Sequence, residues 1–86
     1  MNINELIANI KKKLYDNIKI EDILVEDKTF LHKNHASHEK NKFHIRINIS
    51  SKELKTLSKI ESNKKIYKIL NQELKDYIHS LQILIK

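Results

Sequence analysis

The sequence runs for 86 residues without a single glycine or proline. That double absence restricts the backbone the chain can build. No residue enters the left-handed region at low cost, so turns must rest on Asn, Asp, Ser and Lys. Every loop that needs glycine for a close backbone approach is excluded: the dinucleotide fingerprint, the P-loop and the GxxG loop of KH nucleic-acid-binding domains. Cysteine is absent as well. The chain therefore offers no disulfide, no thiolate ligand and no thiol nucleophile of its own. Metal chemistry would have to use imidazole, or sulfur lent by a partner.

The length fits one domain spanning residues 1–86, large enough to bury roughly 60–65% of its unfolded surface. Apolar residues make up 40% and the formal net charge is +6, a balance that favours folding over disorder. No apolar run approaches the ~20 residues of a membrane span. The opening MNINELIANIKKK carries Glu5 early and lacks an uninterrupted apolar segment. The expectation is a cytoplasmic protein without a membrane partner. Charge is uneven: residues 1–31 hold five Lys against six acids, whereas residues 32–86 hold twelve Lys/Arg against five. The second part is suited to an anionic partner, although a solvated lysine-rich surface explains it equally well.

Periodicity sets out the elements. Ile3, Leu6, Ile7, Ile10 and Leu14 form one helical stripe. Asn2 is placed to cap it, with Glu5 in the capping-box position, and the helix is expected to end near Asp16-Asn17. Asp22–Lys28 reads as a strand with Ile23 and Val25 inward. The clearest strand signal is FHIRINIS, in which Phe43, Ile45, Ile47 and Ile49 share one face and His44, Arg46 and Asn48 the other. A long polar loop joins the two strands, which suggests an antiparallel pair. Ser50 and Glu53 have the spacing of a capping box for a short helix ending about Lys59. A further helix is expected from Ser62-Asn63 to near Tyr77 or Ile78, with Ile66, Ile69, Leu70, Leu74, Tyr77 and Ile78 as its apolar set. The tail alternates Leu81, Ile83 and Ile85 against Ser80, Gln82 and Leu84 as a last strand. The fold class is α+β, in the order α-β-β-α-α-β, with helices on one face of a three-stranded sheet.

Four stretches then resemble the BolA family: the loop HKNHASH, the strand FHIRINIS, the helix KKIYKILNQEL and the segment IHSLQI. The last two, at the right separation, are the most specific. The resemblance covers Leu6 to Ile85 and implies a KH-like domain that lacks the GxxG loop. Departures are clear. The loop is about two residues shorter than in many members, and Asn34 and Ser37 replace glycines beside the loop histidine. Ser62-Asn63-Lys64 stands where the family has Arg-His-Arg, and Thr56 where it has glycine.

For a histidine-type member the resemblance implies a non-enzymatic partner of a monothiol glutaredoxin, acting in iron–sulfur cluster assembly, trafficking or iron regulation. The two proteins would bind a shared two-iron cluster. Sulfur ligands would come from the glutaredoxin cysteine and from glutathione, and imidazole from this chain. The family's C-terminal histidine falls on His79 and its loop ligand on His35, with His32 as runner-up. Replacing thiolate by imidazole lowers the negative charge of a cluster and raises its potential. Ligation needs neutral imidazole, with a reference pKa of ~6.5, so the complex is expected to weaken below about that pH. No cofactor is expected on the isolated chain. His38 and His44 are expected to face solvent. The three loop histidines could also bind zinc, but their spacing matches no standard zinc pattern.

Catalysis is not expected. Ser50 and Ser51 are explained by capping, and Glu26 and Asp27 point to opposite faces of a strand. The alternative function is a DNA-binding transcriptional regulator, in which Lys52, Lys55, Lys59, Lys64, Lys65 and Lys68 of the second and third helices would track phosphates. A weak homodimer is left open.

Overall fold

The computed structural model describes residues 1–29 and 42–86. The elements are α1 (Ile3–Asn17), β1 (Asp22–Asp27), β2 (Phe43–Ser50), α2 (Lys52–Lys55), α3 (Lys59–Ile69), α4 (Asn71–Asp76) and β3 (Ile78–Ile85). This is the expected α-β-β-α-α-β order, with the last long helix interrupted. Among the described residues none has positive φ and no peptide is cis, in keeping with a chain that has no glycine or proline.

The α1 stripe behaves as its spacing dictates. Leu6, Ile10 and Leu14 are fully buried, each contributing roughly 1.5–3 kcal/mol by area. The Asn2 side chain accepts from Glu5 N–H at 2.8 Å and donates to the Glu5 carboxylate at 2.9 Å, which fixes the first turn.

Beneath the helices lies a mixed three-stranded sheet in the order β1-β2-β3. β1 pairs antiparallel with β2, matching Ile23 with Ile49 and Val25 with Ile47. β3 lies parallel on the other side of β2, matching Ile45 with Leu81, Ile47 with Ile83 and Ile49 with Ile85. A parallel neighbour needs a crossover, and α2, α3 and α4 supply it. The period-2 pattern thus sends one apolar row from each strand toward the helices. Val25, Ile45, Ile47 and Ile49 join Leu6, Ile10, Leu14, Leu54, Ile66, Leu70 and Ile78 in a single core. On the open face the rows are Leu24–Asn48–Leu84 and Glu26–Arg46–Gln82.

The helix boundaries correct the sequence reading in three places. Ser51, not Ser50, caps α2: its Oγ accepts from Leu54 N–H at 3.1 Å and donates to the Lys19 carbonyl at 2.7 Å. Ser50 remains in the ladder opposite Asp22, so capping passes to the next residue. α2 stops at Lys55 instead of reaching Lys59. α3 then begins at Lys59, three residues before Ser62, with Ser58 as its cap. Ser58 and Glu61 form a complete capping box, with both bonds at 3.1 Å. Ser62 sits inside the helix and donates to the Leu54 carbonyl at 2.9 Å.

The single helix expected from Ser62 to Tyr77 is also broken, at Leu70 (φ −95°, ψ 17°). Beyond the break, Glu73 Oε2 accepts from Asn9 at 2.8 Å and pairs with Lys13 at 2.5 Å. These contacts tie α4 to α1. Glu73 is 2% exposed, and its other carboxylate oxygen has no hydrogen-bond partner among the described residues.

Candidate functional site

The irregular point of the sheet is the start of β3. Phe43 pairs with Ile78, but the next residue, His44, pairs with Ser80. His79 is the extra residue of a bulge. Bulges re-aim side chains, and the effect here is specific. Ile78 and Leu81 both turn toward the helices although they are three apart, and the two residues between them, His79 and Ser80, are both exposed. Without the extra residue, strict alternation would place either Ile78 or the Leu81–Ile83–Ile85 row on the wrong face.

His44 is the neighbour of this bulge and is held at several atoms. Its N–H donates to Thr29 Oγ1 at 3.1 Å, and its carbonyl accepts from Lys28 N–H at 2.7 Å. Asp27 in turn binds both the N–H and the hydroxyl of Thr29. The His44 ring shares a 2.6 Å hydrogen bond between Nδ1 and the Ser80 hydroxyl. Its centroid lies 5.0 Å from that of the His79 ring, with the planes tilted by 59°. The expectation that His44 faces solvent is therefore corrected. It occupies the outward register with Arg46 and Asn48, yet it is only 8% exposed, with the Ser80 hydroxyl bonded to its ring and the His79 ring beside it.

His35, His32 and His38 lie outside the described residues. Among the described residues no group of three or more His, Cys, Asp or Glu side chains could hold a metal ion. A metal centre reaching His79 would need the rest of its ligands from elsewhere. His79 is an exposed imidazole at the end of the sheet.

The rest of the open face is occupied by its own polar pairs. Arg46 Nε donates to Gln82 at 3.0 Å and Asn48 donates to Glu26 at 2.9 Å. Lys28 pairs with Glu26 at 3.1 Å. That bond, followed by the charges of Lys28 and Arg46 and the Asn48 bond, holds the Glu26 carboxyl below its usual range. Glu53 is lowered chiefly by its bond to Lys65, then by the Lys19 N–H. Glu61 is lowered by its bonds to Ser58.

Five of the six lysines proposed for phosphate tracking line three depressions, two of which share Lys55. Lys55 and Lys59 edge a groove with Leu57, Ile83 and Ile85. Lys65 and Lys68 edge another with Lys13 and Asn17 of α1. Lys52 borders a third, beside Glu21 and Lys86. Lys65 is also paired with Glu53 at 2.9 Å. Lys64 is exposed on α3. Among the described residues no helix is long and apolar enough to cross a membrane.

Helices on one face of a mixed three-stranded sheet, with a histidine at the bulged start of the final strand, define a small α+β domain. The sequence profile described as BolA-like protein matches residues 14–86, and the chain belongs to that family. Among solved structures it is similar to the BolA domain of SufE1 from Arabidopsis thaliana, with 27% identity and a TM-score of 0.79, covering 100% of this chain and 93% of that one. It also shares the fold of BolA1 from Arabidopsis thaliana (21% identity, TM-score 0.79, covering 94% of this chain and 89% of that one). BolA1 from Mus musculus is likewise similar (22% identity, TM-score 0.75, covering 94% of this chain and 63% of that one). No curated protein matches the sequence.

Proposed function

We propose that this BolA-like chain is a non-enzymatic adaptor that joins a monothiol glutaredoxin and supplies imidazole to a two-iron iron–sulfur cluster shared between them. The observation that carries the reading is the bulge, which turns His79 outward beside His44 at the end of the sheet. His79 is one ligand and His35 the other, with His32 as its alternate. The cluster is cargo, and its sulfur ligands belong to the glutaredoxin cysteine and glutathione, since this chain has no cysteine. Imidazole ligation would raise the potential of such a cluster relative to full thiolate ligation. The chain's own task is to present a neutral nitrogen in a fixed direction on a rigid strand, where positioning is tighter than on a loop.

The test is co-expression with the host's monothiol glutaredoxin. A coloured heterodimer should co-purify, and its visible spectrum should change on His79→Ala or His35→Ala. Retention of the wild-type spectrum in both variants would refute the ligand assignment. The DNA-binding alternative draws on Lys52, Lys55, Lys59, Lys64, Lys65 and Lys68. Five of these line three depressions, two of which share Lys55, and Lys65 is already paired with Glu53. DNA binding of that kind would show a log–log salt slope near −0.9 per phosphate contacted.

A further inference from the structure

We propose that the outer edge of β3, at its Ile83–Ile85 end, is a docking surface for an extended acidic peptide that joins the sheet as a fourth strand. The surface lies at the end of β3 away from His79 and does not depend on the cluster reading.

The backbone groups of a strand face its two sides in alternation. Lys86 N–H donates to the Ile49 carbonyl at 2.9 Å, so Gln82, Leu84 and Lys86 turn their backbone toward β2. Leu81, Ile83 and Ile85 turn theirs outward. Tyr67 of α3 agrees with this phase, since its hydroxyl donates to the Leu81 carbonyl at 3.4 Å. β3 is the last strand of the sheet, and among the described residues no strand lies beyond it. Exposed edges are usually blunted by charge, proline or a bulge. From Ile78 to Ile85 there is no acid, lysine, arginine or proline, and the bulge sits at the far end.

The apolar row is also incomplete on this side. Ile47 and Ile49 are fully buried, whereas Ile83 and Ile85, paired with them, are only half-buried. A groove of about 400 Å³ runs along these two residues, with Leu54 and Leu57 of the helical layer on its other wall. Tyr67 and Ile60, seven residues apart on one face of α3, are 46% and 68% exposed. An added strand would place alternate side chains in the groove and give its backbone bonds to Ile83 and Ile85, the mode of strand addition.

Charge selects the occupant. Lys55 and Lys59 line the groove, and no acidic residue does. Lys86 follows the strand directly. A peptide carrying glutamate or aspartate beside its apolar residues complements this rim. A second copy of β3 does not, because it would set Lys86 and the groove lysines against their own counterparts. A nucleic-acid strand would complement the lysines but leave the regularly spaced backbone groups of Ile83 and Ile85 unmatched.

The test uses the isolated chain and a short capped peptide with a valine-isoleucine core flanked by glutamates. Amide hydrogen exchange in the free chain should be fast at Ile83 and Ile85 and slower at Gln82 and Leu84. With the peptide at ten times its Kd, exchange at Ile83 and Ile85 should slow about 10-fold. Two N-methylated forms of the peptide, each blocking one alternate set of core amides, separate backbone pairing from apolar contact. One phase should lose binding and the other keep it. Lys55→Glu combined with Lys59→Glu should weaken the acidic peptide about 5-fold and favour a lysine-flanked counterpart. Both positions are exposed, and amide spectra check that the variant is folded.

Equal binding by both N-methylated forms, or no slowing at Ile83 and Ile85, would overturn the proposal. So would protection of these two amides by oligothymidylate but not by the peptide. Protection that rises with the concentration of the chain alone would also overturn it, naming a second copy as the occupant.

Discussion

The two halves of β3 differ in kind. From Leu81 to Ile85 the strand alternates cleanly, each inward residue matched to an isoleucine of β2. At Ile78–Ser80 the register slips, two polar residues face outward in succession, and an imidazole is left exposed. The regular half buries apolar area and holds the helices to the sheet. The irregular half gives up ladder regularity and gains a directed side chain. On the proposed reading, the packing residues and the ligand sit on the same strand yet should respond to different substitutions.

Substitutions can break that separation, beginning with the largest expected effect. Ile47 is fully buried at the centre of the middle strand. Ile47→Ala should cost about 2–5 kcal/mol and lower Tm by roughly 10–30 °C. A loss under about 1 kcal/mol in denaturant unfolding would mean that the regular half is not the structural half. Glu73 comes next. Its carboxylate joins α4 to α1 through Asn9 and Lys13, and Lys13 is partly exposed, which limits the penalty of leaving it alone. Glu73→Ala should cost about 2 kcal/mol, read by thermal unfolding, with no change at His79.

Ser51→Ala removes the α2 cap and the bond to the Lys19 carbonyl together. A loss of about 1–2 kcal/mol is expected, whereas Ser50→Ala should do much less. Equal effects at the two serines would contradict the capping assignment. Acidification gives a smaller, distributed effect. Glu26, Glu53 and Glu61 are held below their usual range by Lys28, Lys65 and Ser58 respectively. Their folded-state values lie below their unfolded ones, so their stabilisation is complete above the ordinary glutamate range. It is lost as pH falls through the folded values, and Tm should decline gradually from about pH 5 to about pH 3. Flat stability across that window would show these pairs to be too solvent-screened to matter.

The smallest stability effect is expected at the irregular half. His79→Ala should change unfolding by no more than about 0.5 kcal/mol, because the exposed ring contributes little burial. A loss comparable to that of Ile47→Ala would show that His79 is a structural residue.

Much of this division was legible in the sequence. α1, its Asn2 cap and the two long strands follow from single, uninterrupted periodicities, and the pairing of β1 with β2 follows from the sharing of apolar faces. The family was legible too, because KKIYKILNQEL and IHSLQI are long and correctly separated. The caps were harder. Adjacent serines at 50 and 51 compete for one role, and only the position of Ser50 in the ladder decides it. Ser58 and Glu61 carried a complete capping box, but the Ser62-Asn63 pair offered a competing start.

The bulge was not legible. Leu81, Ile83 and Ile85 alternate perfectly by themselves, and Ile78 reads equally well as the end of the preceding helix. The extra residue becomes visible only when Phe43 and His44 find their partners across the sheet. The burial of His44 was hidden as well, since alternation places it outward and its contacts with Ser80 and His79 depend on the bulge. His35 and His32 rest on the resemblance alone.

The central claim is that His79 presents its imidazole to a cluster brought by a partner. The most direct measurement is a visible circular dichroism titration of cluster-loaded monothiol glutaredoxin with this chain and with His79→Ala. The account predicts that the wild-type chain changes the spectrum and saturates at one chain per glutaredoxin, while folded His79→Ala leaves the glutaredoxin spectrum as it was. An identical spectral change with His79→Ala would contradict it.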